Sequence, residues 1–164
     1  PMHNTSFQPM ISNLFYSETL KIALKSADLS AISLAEILKN ALETEFRTLN
    51  LAHTVTQKNH QLFLHEAGNE DNNSENAPYS VSVIQYPEDQ TALKTAISTG
   101  DELILLFTQK RDNNIEKLAH CLDALEDHGA ALKGFTLEIN GETIYLQLFE
   151  KYYDFNVDTF NDYR

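Results

Sequence analysis

Residues 134–149 read GFTLEINGETIYLQLF, and the Asn140-Gly141 pair in the middle decides how the C-terminal half of the chain folds. Both central residues of a type I′ turn need positive φ, which Asn and Gly tolerate better than other residues, so the pair predicts a two-residue hairpin. That turn sets Leu137 opposite Ile144 and Phe135 opposite Leu146. Side chains alternate across a strand, so Phe135, Leu137, Ile139, Ile144, Leu146 and Leu148 then share one face. Thr136, Glu138, Thr143 and Gln147 share the other, together with Tyr145 and Phe149. Turn chemistry and hydrophobic pattern specify one register.

Working back from the hairpin, strands and helices alternate. Asp112 is suited to cap a helix carrying Ile115, Leu118, Ala119, Leu122 and Leu125 on one side, with Gly129 as its stop. Leu103 to Phe107 is continuously apolar, the pattern of a central strand covered on both faces. Pro87-Glu88-Asp89 is expected to open a helix, since proline suits the first turn and acids suit its positive end. Leu93, Ala96 and Ile97 give that helix its buried stripe and Gly100 ends it. Ser80 to Tyr86 reads as a strand. Residues 67–78 are polar and without hydrophobic period, and are expected to form a flexible acidic loop.

Further back, Ala52 to Gln57 and His60 to His65 are strand-compatible runs around Lys58-Asn59. A turn there places Val55 opposite Leu62 and His53 opposite Leu64. Ser33 and Glu36 match a capping box, with Ile32 and Ile37 spaced as a hydrophobic staple, ahead of a helix over about residues 34–48. Leu20, Ala23, Leu24 and Ala27 predict an earlier helix over residues 17–27. The expected fold is α+β: N-terminal helices, then a mixed sheet of about five or six strands with helices packed on it. One domain is expected over residues 2–164, with Pro1 read as a cloning remnant and residues 151–164 as an aromatic-acidic tail.

Composition narrows the partners. With 24 Asp and Glu against twelve Lys and Arg the net charge is −12. Nucleic-acid binding depends on neutralising phosphates with basic side chains, and the densest basic pair is Lys110-Arg111, so no nucleic acid is expected. No run approaches the roughly 18 apolar residues of a membrane helix, and the N-terminus lacks the basic and apolar regions of a signal peptide. No membrane partner and a cytoplasmic setting follow as expectations. Cys121 is the single cysteine, so an internal disulfide and a multi-thiolate zinc site are excluded.

Catalytic patterns are sparse. His65-Glu66 is not followed by the second histidine of a helical zinc site, and His60 and His65 fall on opposite faces of a strand. His120 and Cys121 are adjacent on a helix, about 100° apart, which precludes a direct nucleophile–base hydrogen bond. Cys121 flanks the apolar stripe and is expected to act as a small hydrophobe. Glu116, Asp123, Glu126 and Asp127 read as a solvated helix face. The five glycines are too scattered for a phosphate-binding loop, and no G-x-S-x-G elbow occurs. No metal, no cofactor and no catalytic residue is assigned.

The expected function is therefore non-enzymatic binding of another protein, a basic or partly unfolded one, by an acidic and aromatic surface. A toxin-neutralising immunity protein or a secretion chaperone fits, the latter accompanied by a homodimer. Tyr152, Tyr153, Asp154, Phe155, Asp158 and Asp162 of the tail are the expected contact residues unless the tail rings instead close the edge of the domain's own core, the heavier of the two readings. They are extended by Tyr145 and Phe149 of the hairpin unless these lie under a helix. A small hydrolase with a His/carboxylate site is the alternative, followed by an acidic mimic of nucleic acid.

Overall fold

The computed structural model describes residues 7–66, 79–99, 103–109, 114–127 and 131–150. In chain order the elements are α1 (Gln8–Leu14), α2 (Glu18–Lys25), α3 (Ala31–Thr48), β1 (Thr54–Lys58), β2 (Gln61–His65), β3 (Tyr79–Gln85), α4 (Gln90–Thr99), β4 (Leu103–Gln109), α5 (Asn114–Asp127), β5 (Ala131–Ile139) and β6 (Glu142–Glu150). The fold is α+β, with N-terminal helices preceding a six-stranded mixed sheet of order β1-β2-β3-β4-β6-β5. Contacts divide the chain into two compact units, Pro1–Val83 and Ile84–Arg164, with the boundary inside β3. The expected loop over residues 67–78 and the tail lie outside the described residues.

In the first unit, α3 starts three residues earlier than expected. Ser30, in extended conformation, accepts a hydrogen bond from the Ser33 N–H at 3.1 Å, so Ser30 and not Ser33 is the N-cap. The earlier start adds a turn to the helix and leaves Ile32 exposed at 54%, so no hydrophobic staple forms. Leu34, Leu38, Leu42 and Phe46 make a buried stripe against β1 and β2. The helix ends in a Schellman motif: Leu51 N–H donates to Phe46 O at 2.8 Å and Asn50 N–H to Arg47 O at 3.1 Å, with Asn50 at φ 59°. Helix α2 lies within the expected span and is capped by Ser17, whose Oγ accepts from Leu20 N–H at 3.3 Å. Helix α1 is an element the periodicity does not predict. It is short, with proline in its first turn, and it buries Ile11, Leu14 and the adjoining Phe15.

The first hairpin forms with a corrected register. Val55 pairs with Leu64 and Lys58 with Gln61, so the turn is Asn59-His60. Asn59 takes the positive φ of 57°, which the Lys58-Asn59 placement would have imposed on a lysine. The pairing slips by two residues, which keeps every side chain on its face, so the hydrophobic pattern could not distinguish the two registers.

In the second unit the Asn140-Gly141 hairpin matches expectation. Both turn residues have positive φ, 53° and 82°, and Leu137 faces Ile144 and Phe135 faces Leu146. Gly134 stands opposite Gln147, where a Cβ would meet the Gln147 side-chain amide. Strand β4 is buried at every position from Leu103 to Thr108. Helix α4 begins at Gln90, so Pro87 and Glu88 lie in a turn before it. The reason is Asp89. Its Oδ2 accepts the Gln85 N–H at 3.3 Å, its own N–H donates to Gln85 O at 2.8 Å, and its carbonyl accepts the first helical bond, from Leu93 N–H at 3.0 Å. Helix α5 buries Leu118, Cys121, Ala124 and Leu125, while Ala119 is exposed and Leu122 packs at the margin of the cluster. The stripe is rotated because α5 covers Ile104, Leu106 and Phe149 jointly with α4. Asp112 and Gly129 lie outside the described residues.

The two candidate caps of α3 separate cleanly by mutation. Ser30→Ala should cost about 1 kcal/mol in urea denaturation, the usual loss of an N-cap hydroxyl, and Ser33→Ala a few tenths at most. Equal losses would contradict the assigned helix start.

Candidate functional site

The histidines do not converge. The His53 ring stands edge-on to Phe46 at 5.1 Å and to Phe7 at 6.3 Å between centroids, and its Nδ1 is buried without a hydrogen-bond partner. His65 is buried on the opposite face of the β1–β2 ribbon, its Nε2 lying 3.1 Å from Thr56 Oγ1. His60 sits in the turn and its carbonyl accepts from Val83 N–H at 2.8 Å. Among the described residues no three His, Cys, Asp or Glu side chains gather as a metal site.

Cys121 is buried and packs within the cluster of α4, α5, β4 and Phe149, whereas His120 beside it is exposed. Burial pushes the Cys121 thiol from 9.0 up to about 12, against a smaller downward pull from its hydrogen bond with the Tyr86 side chain. A thiol held protonated in an apolar cluster is a poor nucleophile. Glu116 and Asp123 are exposed, in line with a solvated helix face; the side chains of Glu126 and Asp127 lie outside the description.

Of the expected contact residues, Phe149 is removed from the surface. It is 0% exposed under α4 and α5, because its face of β6 is the one those helices cover. Tyr145 is half-buried at the edge of the same cluster. Tyr152, Tyr153, Asp154, Phe155, Asp158 and Asp162 lie outside the described residues.

An open groove lies instead in the first unit, between α2 and α3. Leu14, Leu20, Ala23, Ile37 and Ala41 give it an apolar floor, and Ser17, Thr19, Asn40, Thr44 and Glu45 also line it, around a volume of about 250 Å³. Its origin is the spacing of α3. Ile37, Ala41, Thr44 and Glu45 recur at intervals of four, three and one, which places them on a stripe beside the Leu34–Phe46 stripe that meets the strands. Helix α2 covers this second stripe only in part, because Thr19 and Ala23 are short where they face it. Two of the polar groups are already engaged. Ser17 Oγ donates to Leu14 O at 2.7 Å, and Thr44 Oγ1 accepts from Arg47 Nη2 at 3.2 Å. Sequence periodicity locates both helices, but reading Ile37 as half of a staple conceals the groove; two apolar stripes on one helix are the available signal.

Comparison with protein-family models, curated proteins and solved structures gives no match. Among the described residues no helix is long and apolar enough to cross a membrane.

Cys121 makes the alkaline limb of stability testable. Its folded value lies above the unfolded one, so its contribution is whole below pH 9.0 and is lost as pH rises toward about 12. Between pH 8 and pH 10.5 the urea midpoint of the native chain should fall further than that of Cys121→Ala. In the same experiment a thiol reagent should label native Cys121 at pH 8 only after urea is added. Rapid labelling without urea would contradict the burial.

Proposed function

We propose that this protein acts by binding another protein, a basic one, without transforming it. An immunity protein that neutralises a toxin or a dedicated secretion chaperone, working in the cytosol, fits this reading. The observation that carries it is the α2–α3 groove: an apolar floor left open to solvent, rimmed by polar groups, in a chain of net charge −12. A concave apolar floor with polar groups beside it is a shape that a partner's side chain can fill. The net negative charge of the whole chain speeds encounter with a basic protein and disfavours nucleic acid and anionic lipid. Tyr16 and Ile22, 55% and 61% exposed, add apolar contact area on and just before α2. A volume of about 250 Å³ falls below the roughly 300–1,000 Å³ of drug-sized ligand pockets, which favours a side chain of a protein over a cofactor.

Recovery of partners from the natural host by mass spectrometry tests this reading. A basic protein should be retained at low salt and released as salt rises, since surface charges are screened beyond about 10 Å at 0.1 M. Ala41→Arg places a long side chain in the groove on a helix that tolerates it, and recovery should drop tenfold or more while the circular dichroism spectrum is kept. Finding no protein partner at low salt refutes the proposal.

A further inference from the structure

The groove's polar rim specifies what it holds. Resting on the reading of this protein as a docking module, we propose that the α2–α3 groove takes one lysine or arginine side chain of the partner, its stem on the apolar floor and its charge on Glu45. Glu45 is the single charged residue lining the groove. The neighbouring cations are committed elsewhere: Lys39 pairs with Glu43 at 3.2 Å, Lys21 with Glu18 at 3.9 Å, and Arg47 donates to Thr44 Oγ1. Among the described residues no ion-pair or hydrogen-bond partner reaches the Glu45 carboxylate. A half-buried glutamate among the lining residues of an apolar trough is complementary to a group that joins a hydrocarbon stem to a cationic head, which only Lys and Arg side chains provide. The volume agrees. About 250 Å³ is room enough for one long side chain. An aliphatic residue would fill the floor but leave Glu45 facing apolar surface without a partner, and an acidic residue would be repelled.

Backbone amide chemical shifts of the full-length chain, titrated with three probes of nearly equal stem, test the assignment. Hexylguanidinium should shift the amides of Leu20, Ala23, Ala41 and Glu45 saturably. Hexanol should bind the same place about tenfold more weakly, as expected for loss of one charge-assisted hydrogen bond, and hexanoate should not bind there. Glu45→Gln should lower hexylguanidinium to the hexanol value while leaving the rest of the spectrum in place. Shifts at other acidic positions only, equal binding of hexanoate, or an unchanged affinity in Glu45→Gln would each overturn the proposal. A partner protein that binds Glu45→Gln as tightly as the native chain but is lost with Ala41→Arg overturns it too, while leaving the docking function standing. If the probes behave as described and no partner protein exists, the docking function falls and the groove chemistry survives.

Discussion

Strand β4 takes both of its faces out of water. Leu103, Ile104, Leu105, Leu106 and Phe107 are each 0% exposed, although consecutive side chains point to opposite sides of the sheet. At roughly 1.5–3 kcal/mol for each large apolar side chain, these five contribute on the order of 10 kcal/mol before entropy is counted, comparable with the whole net stability of a typical domain. Much else follows from housing them. The strand has to lie inside the sheet, and it does, between β3 and β6. The face carrying Ile104 and Leu106 has to be roofed, and α4 and α5 do so, drawing Phe149 of β6 beneath them. Residue by residue from Leu103 to Gln109, its pairing with β6 fixes where the C-terminal hairpin sits.

The first unit meets a different constraint with one long helix. Helix α3 turns its Leu34, Leu38, Leu42 and Phe46 stripe to β1 and β2 and offers Ile37 and Ala41 to α2. The first contact is complete and the second is not. Small side chains on α2 leave a trough where larger ones would have closed it. The surface left for recognition is thus a by-product of a helix that must serve two neighbours at once.

How much of this fold is legible in the amino-acid sequence follows the strength of local chemistry. Asn140-Gly141 forces one turn type, so its register is legible to the residue. Lys58-Asn59 offers one residue tolerant of positive φ and two equivalent facings, and the pairing settles with Asn59 in the first turn position. Ser30 and Ser33 are equally good caps by type, and the tie is broken by the extra turn that the earlier start adds. Asp89 suits a helix end by its charge, whereas its carboxylate closes the end of β3. The groove is not legible for a related reason. Periodicity tells which residues turn inward but not whether the neighbour opposite is large enough to cover them. Phe149 is the converse case, a ring on the polar-patterned face that a pair of helices covers.

The Asn140-Gly141 turn has a further chemical consequence. An asparagine followed by glycine is the pairing in which the next backbone nitrogen most readily attacks the side-chain amide, since no side chain on glycine obstructs it. The cyclic product reopens in part to isoaspartate, which carries the main chain through one additional carbon. Inserted between β5 and β6, that carbon would disturb the ladder that sets Leu137 against Ile144 and Phe135 against Leu146. The two residues that define this hairpin so sharply also make it the point where the molecule ages.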